Sequence, residues 1–471
     1  MRILITGATG YIGRRLKHRL LREKNATLCL LTKRDKSSYT TDDVEVFRGN
    51  TFDVPSLHLA LKDVDVAYYL VHAMESPNYR ELDRKSAQNF LDACIAQGVG
   101  RIIYLGGLGE KESASEHLLS RIEVGEILSS RPDAVQTLWF RAGVIIGSGS
   151  ASFEIIRHLV EKLPFMITPK WVNTLCQPSA QKDVIEYLSL AAFLETSQSA
   201  IIDIGSEVMS YKELLLGYAK AVGLGRTLIP VPFFSPKLSS YWLTLMTPVP
   251  YSIASALIEG LKSEVLVQND HARKLFPSIT PISYAEAVSL AVEEIKHEQI
   301  ISRWSDASGH AWEVNHSDLA NAIFSDRQII PIAPHEEKAV YQMFCSVGGK
   351  KGWFGYDLLW HIRGAIDKLF GGYGLSRGRR DPVHLRIGDS VDFWKVVDLQ
   401  EGKRLLLFAQ MKLPGIAWLE FLIKEGQFYQ TAYFYPHGLA GRLYWFALIP
   451  LHFFVFRGMA NNLIKAVRKG A

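Results

Sequence analysis

Cysteine is scarce in this chain of 471 residues, and its cysteines are isolated. They stand at positions 29, 94, 176 and 345, without any paired spacing. Such spacing argues against a disulfide framework or a thiolate-bound metal, and it is typical of a reducing compartment. The first apolar run begins at residue 3, which leaves no room for a signal peptide ahead of it. We therefore predict a cytoplasmic protein with no metal site.

Long hydrophobic runs are missing as well. The apolar segment from Leu443 to Phe456 has fourteen residues, whereas a membrane-spanning helix needs about 20. The basic residues around this segment are Arg442, Arg457, Lys465, Arg468 and Lys469. Two interpretations stay open: the segment packs over a sheet as part of a core, or it lies on a membrane surface as a peripheral contact. We favour the first.

Acidic residues are under-represented near the C-terminus. Residues 336–471 carry 19 Lys and Arg against 11 Asp and Glu, and they hold 24 of the 52 aromatic residues. A content of 48% hydrophobic and 21% charged residues is typical of a globular protein, here with two or three domains. The shift in composition predicts a domain over 1–300, a linker over 301–335 and a second domain over 336–471. We predict no nucleic-acid partner and leave the oligomeric state open.

Glycine marks the N-terminus, where residues 1–13 read MRILITGATGYIG. An apolar run from Ile3 to Ile5 predicts a buried parallel strand, and leucines after Tyr11 recur at helical spacing. Between them, Gly7 permits a tight turn, Gly10 lets the backbone approach a pyrophosphate, and Gly13 lets the helix pack close to the strand. The phosphates would lie on the free N–H groups of the helix N-terminus. This arrangement predicts a dinucleotide-binding site.

Further strand and helix patterns alternate along the first 150 residues. Apolar runs end at Leu31, Phe47, His72, Leu105 and Ile146, with helical patterns between them. This alternation predicts an α/β domain with a Rossmann-type, doubly wound parallel sheet. Its cofactor is expected at the carboxyl ends of the strands.

The residues after the second strand bear on the choice of cofactor. Lys33 and Arg34 stand where an NAD-selective site usually has an acid that holds the ribose 2′-hydroxyl. A guanidinium binds phosphate through two parallel hydrogen bonds, so Arg34 suits the 2′-phosphate of NADP. A solvated basic loop is the alternative. We predict NADP, with NAD as the other choice.

Two strings connect this region to a known superfamily. TGATGYIG resembles the glycine motif of the extended and atypical short-chain dehydrogenase/reductase (SDR) superfamily, and FRAGVIIGSGSASFEII resembles the segment that closes over the nicotinamide end in atypical members. Residues 1 to about 300 resemble the branch of the NmrA-like regulators and the complex I accessory subunit, often labelled nucleoside-diphosphate-sugar epimerases. That branch holds reductases, isomerases and non-catalytic NADP-binding members. The cofactor site that motif and resemblance imply comprises Gly7, Thr9, Gly10, Tyr11, Ile12, Gly13, Arg34, Asn50, Thr51, Val71, His72 and Arg121.

Two of these residues need comment, because Asn50 departs from the superfamily pattern and His72 has two interpretations. Asn50 replaces an acid that commonly lies near the adenine, and its amide can still hydrogen-bond the base. His72 either lines the cofactor cleft or is a buried histidine satisfied within the fold.

The superfamily's usual catalytic residues are missing. Its Tyr-x-x-x-Lys dyad is supported by Ser or Thr at the end of the fifth strand, which here ends in Gly106 and Gly107. His117 stands at the tyrosine position and Arg121 at the lysine position, on one helix face. His117 is a candidate general acid near neutral pH, whereas Arg121 does not titrate but can hold a ribose hydroxyl or a phosphate. An exposed polar helix face is the alternative, which we favour for His117.

The sequence pattern of the second domain predicts strands followed by a helix. Four apolar runs, 391–398, 405–411, 417–424 and 428–435, are separated by glycine-containing breaks, which predicts an antiparallel meander. A helical stretch from Leu439 to Val467 follows. The strings DFWKV, MKLPGIAWLEF and GRLYWFALIPLHFFVFRGM resemble an uncharacterised START-like helix-grip domain, an α+β fold that follows an atypical SDR in some bacterial proteins. The basic loop at 376–380 is expected to be solvated.

Two functions are therefore carried forward. The first is an NADP-dependent oxidoreductase, a reductase or isomerase of an apolar carbonyl compound. The second is a non-catalytic NADP-binding sensor or scaffold whose second domain binds a lipid- or quinone-like ligand. Both expect a small apolar ligand near the strand aromatics Trp394, Trp418, Phe421, Tyr433 and Tyr435.

Overall fold

The chain is described from a computed structural model. The described residues are 1–32, 44–72, 78–231, 255, 258–261, 263–296, 302, 324–369, 372, 374–377, 379–381, 384–436 and 438–469. They form two compact units, unit 1 over Met1–Ala307 and unit 2 over Ser308–Ala471. Arg34 lies outside the described residues.

Unit 1 is built on a parallel sheet. Its strands are β1 (Arg2–Thr6), β2 (Thr27–Thr32), β3 (Val44–Arg48), β4 (Val66–Tyr69), β5 (Arg101–Gly107), β6 (Gln136–Ala142) and β11 (Ala200–Ile204). Short strand pairs lie beside it: β7 (Ile145–Ile146) with β10 (Ser179–Ala180), β8 (Phe165–Thr168) with β13 (Thr227–Pro230), and β9 (Leu175–Cys176) with β12 (Met209–Ser210). The helices are α1 (Tyr11–Leu20), α2 (Val54–Leu61), α3 (Tyr79–Ala96), α4 (Glu116–Leu128), α5 (Ala151–Lys162), α6 (Gln181–Ala191), α7 (Tyr211–Ala221), α8 (His271–Leu275) and α9 (Tyr284–Lys296).

The strand order of this sheet creates a ligand crevice. The order is β11-β6-β5-β4-β1-β2-β3, and each neighbouring pair is parallel. The chain therefore reverses its winding between β1 and β4, and ligands of such sheets bind at the carboxyl ends of the strands at that point. Apolar side chains on both faces of β1 are fully buried, including Ile3, Leu4 and Ile5. The predicted Rossmann-type parallel sheet is confirmed.

Helix caps set the ends of several elements in unit 1. Asp53 caps α2 through the Ser56 N–H. Ser210 and Glu213 form a reciprocal capping box at the start of α7. Ser283 accepts a hydrogen bond from the Glu286 N–H at the start of α9. Each cap satisfies a backbone donor that the first helical turn leaves open.

Unit 2 contains an antiparallel sheet in the order β14-β19-β18-β17-β16-β15. The strands are β14 (Phe324–Pro331), β15 (Ser390–Val391), β16 (Trp394–Gln400), β17 (Arg404–Ala409), β18 (Gly415–Lys424) and β19 (Gln427–Pro436), and the helices are α10 (Glu337–Phe344), α11 (Asp357–Leu369) and α12 (Gly438–Lys469). The predicted meander is confirmed as an antiparallel sheet. β14 falls within the region assigned to the linker, and it pairs with β19 along its whole length.

Alternation along the strands divides the predicted aromatic group between the two faces of this sheet. Trp394 and Phe421 belong to the main core of unit 2. Trp418 and Tyr433 pack on the opposite face, around Leu406. The five aromatics therefore do not share one surface.

The loop at 376–380 was expected to be solvated, and its last residue is not. Arg380 is 5% exposed, and its guanidinium makes three hydrogen bonds of 3.0–3.1 Å to the buried Asp389 carboxylate. The prediction was wrong for Arg380 because its partner lies nine residues away, beyond the loop itself.

Helix α12 consists of two arms. Ala440–Ile449 and Leu451–Lys469 meet at 58°. In the described part of the chain, no single helix is long and apolar enough to cross a membrane, and only these two arms together meet that criterion.

Candidate functional site

The glycine turn between β1 and α1 has the backbone that a dinucleotide needs. Gly7 has a φ of +68°, and a Cβ there would lie 2.3 Å from the Leu70 carbonyl oxygen. A Cβ on Gly13 would lie 2.2 Å from the Gly7 oxygen. Gly10 is the N-cap of α1, which has no acidic residue in its first turn. The first-turn N–H groups, which have no partner within a helix, therefore fit a pyrophosphate.

Helix α1 is fixed to the rest of unit 1 by a buried cation. Arg15 is 4% exposed, and its Nη2 donates to the Ser148 carbonyl and hydroxyl and to the Glu294 carboxylate, at 2.9–3.1 Å. Its guanidinium also lies 5.2 Å from the centre of the Tyr11 ring. Burial raises the pKa of Tyr11. This network holds the first half of α1 against α9 and the segment that follows β7.

The remaining turn residues lie in the same region. The Thr9 carbonyl accepts a hydrogen bond of 3.0 Å from Arg14 Nε, and Ile12 packs against the core beneath the sheet. On the adjacent side, Val71 follows β4 and packs against the core on the other sheet face. Thr6 Oγ1 links the ends of β1 and β4 by donating to the Tyr68 carbonyl at 2.8 Å.

Asn50, which was predicted near the adenine, and Thr51, the next predicted cofactor residue, are already hydrogen-bonded within unit 1. Asn50 Oδ1 accepts hydrogen bonds from the backbone N–H groups of Phe52 and Asp53, at 2.8 and 3.2 Å. Thr51 is 6% exposed, and its hydroxyl accepts a hydrogen bond of 2.6 Å from Ser86. Asn50 thus shapes the turn after β3, and the Thr51 hydroxyl serves the fold.

A hydrogen-bonded chain of side chains lies beyond the carboxyl ends of β4 and β5. His72 Nδ1 lies 2.5 Å from Asp83 Oδ2, and its Nε2 lies 3.2 Å from His117 Nδ1. The two imidazole rings stack with centroids 4.9 Å apart. Ser120 Oγ donates to the same Asp83 oxygen at 2.9 Å. Three elements therefore meet here: the segment after β4, α3 and α4.

Burial keeps both histidines neutral. It lowers the pKa of His72, although Asp83 acts in the opposite direction. It lowers the pKa of His117 well below the usual value, and the nearby His72 and Arg121 lower it further. Because Asp83 accepts the proton of His72 Nδ1, His72 Nε2 is left as an acceptor for His117 Nδ1–H. His117 Nε2 then carries a lone pair.

Arg121 lies one helical turn after His117, against the end of β5. Its Nη2 donates to the Leu105 carbonyl at 2.9 Å. Its Nε is buried and has no partner among the described residues. A Cβ on Gly107 would lie 2.6 Å from Leu118 Cδ1, so the glycine at the strand end leaves space for the Leu118 side chain of α4.

The structure brings His72, His117 and Arg121 together as one cluster. His117 does not lie on an exposed helix face, because it stacks on His72. Sequence reasoning missed Asp83 and Ser120, which complete the cluster. Asp83 lies on a helical stretch whose buried face is defined only by the packing of α3 on α4, so nothing in its local pattern marks it.

Two family models match separate parts of the chain. Residues 7–136 match a family described as NAD(P)H-binding, and residues 319–459 match a family described as a protein of unknown function, DUF2867. No curated protein gives a significant match.

Solved structures match unit 1. The Citrobacter sp. triphenylmethane reductase, solved with NADP(H), is 19% identical with a TM-score of 0.50, covering 62% of this chain and 100% of that one. A nucleoside-diphosphate-sugar epimerase from Staphylococcus aureus is 16% identical with a TM-score of 0.50, covering 61% and 100%. MoeE5, solved with UDP-glucose and NAD, is 17% identical with a TM-score of 0.50, covering 64% and 100%.

These matches agree with the geometry of the glycine turn. Identities this low show the fold alone, which is the Rossmann-type fold already described. The family model adds the cofactor class, so the predicted NAD(P) cofactor is confirmed, and the preference for NADP stays a prediction. The N-terminal unit of this chain is a Rossmann-type, NAD(P)-binding domain.

Proposed function

We propose that unit 1 is an NADP(H)-dependent oxidoreductase in which Asp83, His72 and His117 move the substrate proton. The observation that carries this proposal is the hydrogen-bonded chain from the buried Asp83 carboxylate through His72 to His117 Nδ1. It occupies the carboxyl edge of the sheet beside the switch point, where ligands of this fold bind.

The location of the cluster supports a role next to the cofactor. His72 follows β4 by three residues, and β4 is the direct neighbour of β1. Leu70, which lies between β4 and His72 in the chain, is the residue against which Gly7 packs. The cluster and the glycine turn therefore belong to the same edge of the sheet.

The hydrogen bonds define where a proton is held. When bound, NADPH supplies a hydride to a carbonyl carbon, and the oxygen then needs a proton. His117 gives that proton from Nε2 and regains one at Nδ1 from His72 Nε2. Because both histidines are neutral at rest, His72 first takes up one proton from solvent for each reduction, and the Asp83 carboxylate stabilises the imidazolium that forms. In the reverse direction, His117 Nε2 accepts the hydroxyl proton, and the His117 Nδ1 proton moves to His72 Nε2.

Arg121 supplies a fixed positive charge in this scheme. It cannot exchange protons near neutral pH. Its buried Nε, which has no partner among the described residues, is available to a hydroxyl or phosphate oxygen of the nucleotide. We propose that it holds the nicotinamide ribose, as the lysine of the usual dyad does.

The test is transfer of a labelled hydride. The full chain is incubated with NADPH deuterated at C4 and a panel of apolar aldehydes, ketones and quinones. We expect deuterium in at least one product, and at least about a hundredfold lower rate for His117→Asn, in line with the usual contribution of a general acid. An equal rate for the variant would contradict the role of His117. NADPH binding without transfer to any member of the panel would favour the second candidate.

The second candidate is a non-catalytic NADP-binding sensor whose unit 2 binds a lipid- or quinone-like ligand in a START-like helix-grip fold. Unpaired polar atoms around Phe456 favour it. Gln430 Nε2 donates to the Phe456 carbonyl at 2.9 Å, while Gln430 Oε1 has no partner among the described residues. The rings of Trp360 and His452 contact Phe456, and Trp360 Nε1 and His452 Nδ1 are likewise buried without a partner there.

Such atoms are candidates to bind the polar group of an otherwise apolar ligand, since buried polar atoms are normally paired. Native mass spectrometry of the purified full chain tests this candidate. A small molecule that copurifies with the wild-type chain and is absent from Gln430→Leu would support it. Equal masses of bound material in the two proteins, including none, would contradict it.

A further inference from the structure

We propose that unit 2 docks on the surface of an anionic lipid bilayer through apolar side chains that α11 and α12 expose. The proposal concerns unit 2 alone and stands independently of the chemistry of unit 1.

Helix α11 exposes one complete apolar stripe. Leu358, Ile362, Ile366 and Leu369 are 73%, 48%, 44% and 80% exposed. Their spacing of four, four and three residues places them on one helix face. The residues that α11 buries are Trp360, Gly364 and Asp367. A helix that exposes four large apolar side chains on one face needs a partner for that face.

The first arm of α12 and the start of its second arm expose a second stripe. Leu443, Phe446, Ile449, Leu451, Phe453 and Phe454 are between 41% and 61% exposed. Farther along the second arm, side chains such as Met459 and Leu463 are fully buried in the core. The second arm is therefore held by the sheet and is not free to enter a bilayer. The expectation that 443–456 packs over the sheet holds for Val455 and Phe456, which are 6% exposed.

The helices that carry the two stripes are neighbours in unit 2. Trp360 of α11 and Phe456 of α12 are in ring contact at 6.2 Å. Asp367 Oδ1, near the end of α11, accepts a hydrogen bond of 2.6 Å from the Lys412 N–H. Gly441 of α12 packs against Pro414, two residues farther along that loop, because a Cβ there would lie 2.3 Å from the Pro414 oxygen. The helices are thus joined at one end by a ring contact and at the other by a shared loop.

The charge of α12 selects the partner. Residues 438–469 contain five Lys or Arg residues and no Asp or Glu. Arg442 and Arg457 are exposed at the two ends of the apolar stretch, and the Arg457 guanidinium lies 5.4 Å from the centre of the Phe453 ring. An apolar face rich in Leu and Phe with basic residues at its rim is the composition of helices that lie in a membrane interface. The basic rim attracts acidic headgroups, by about 1 kcal/mol for each side chain near the surface.

Vesicle sedimentation of the full chain tests the proposal. We expect binding to phosphatidylcholine vesicles that contain phosphatidylserine, weaker binding without phosphatidylserine, and release at high salt because surface charges are screened. The double variant Leu358→Glu/Phe446→Glu should bind about a hundredfold more weakly, since each inserted side chain contributes about one decade of affinity. Leu59→Glu is the matched control, because Leu59 is 63% exposed on α2 of unit 1.

A second pair of variants separates charge from apolar contact. Arg442→Glu/Arg457→Glu should abolish the preference for phosphatidylserine, whereas Lys424→Glu, at the exposed end of β18, should leave it unchanged. Circular dichroism and NADPH titration of each variant report whether the units remain folded. No binding, or binding unaffected by the apolar variants, would overturn the proposal. Retention on the vesicles in alkaline carbonate would also overturn it, because a surface-docked protein is released there.

Discussion

Two histidines 45 residues apart in the chain share one hydrogen bond in unit 1. In the sequence, His117 is distinguished by its place in an altered dyad and His72 by its place at the end of the fourth apolar run, but no pattern pairs the two. The partner of each becomes visible only when α3 and α4 pack beside the end of β4. The sequence therefore points to His117 and Arg121 but not to the Asp83 carboxylate, which Ser120 orients by a bond of 2.9 Å.

The burial of His72 and His117 should make the stability of unit 1 depend on pH. Both pKa values are lowered in the folded state, so the unfolded chain takes up protons below pH 6.5 before the folded chain does. Unit 1 should lose stability as the pH falls from 7.5 to 5.5, by up to about 1.4 kcal/mol per pH unit for each histidine. Thermal unfolding followed by circular dichroism measures it.

The matched variants for this measurement are His117→Asn and His335→Gln. The first should flatten the dependence between pH 6.5 and 5.5, since it removes one group that the folded state keeps neutral. The second changes an exposed histidine of unit 2 and should leave the curve unchanged. Parallel curves for His117→Asn and the wild-type chain would contradict the assignment.

Arg121 offers a test of nucleotide binding at the residue scale. Arg121→Ala should weaken NADPH binding about tenfold to a hundredfold, because a hydrogen bond from a charged donor is worth about 1.5–3 kcal/mol. Isothermal titration calorimetry measures the dissociation constant. Arg131→Ala is the control, because Arg131 forms only an exposed ion pair with Asp133. An unchanged NADPH dissociation constant for Arg121→Ala would contradict this role and leave the guanidinium as a hydrogen-bond donor to the Leu105 carbonyl.

At the scale of elements, regular patterns in the sequence were reliable guides. Strand β11 of the parallel sheet was not predicted. Strands β1 to β6, the four-strand meander and the C-terminal helix formed near their predicted positions, because each carries a clear apolar period. β14 has no such run: it reads FSDRQIIP, an edge strand whose side chains alternate between half-buried and exposed. Its pairing with β19 comes from the sheet that it joins, which local pattern does not reveal.

The Arg380–Asp389 pair should fix the segment before β15. Asp389 is 1% exposed and also accepts the Arg386 N–H at 3.0 Å. Asp389→Asn should destabilise unit 2 by about 3–5 kcal/mol, because the buried Arg380 charge would lose its hydrogen-bonded counterion and keep only Asp381, 3.9 Å away. Chemical denaturation followed by tryptophan fluorescence measures the loss. Asp133→Asn, at an exposed pair of unit 1, should produce no measurable change, and an equal effect of the two variants would contradict this account.

At the scale of the whole molecule, the chain joins two units of different character. Unit 1 carries a polar, titratable cluster at the crevice of a parallel sheet. Unit 2 has a basic excess, an aromatic core and exposed apolar helix faces. The sequence predicted this division from its composition, because charge and aromatic content change between the halves. It did not reveal the exposed stripes, since exposure depends on which face of each helix the sheet covers.

We propose that unit 1 binds NADPH at the glycine turn, with the 2′-phosphate held by Arg34. Titration of the full chain with NADPH and with NADH, followed by nicotinamide fluorescence, tests it most directly, with Gly10→Val and Arg34→Ala as variants. We expect the wild-type chain to bind NADPH at least about tenfold more tightly than NADH. Gly10→Val should bind neither nucleotide, because the side chain fills the approach of the pyrophosphate. Arg34→Ala should lose the preference for NADPH. Equal affinity for the two nucleotides, or NADPH binding to Gly10→Val that matches the wild-type chain, would contradict the account.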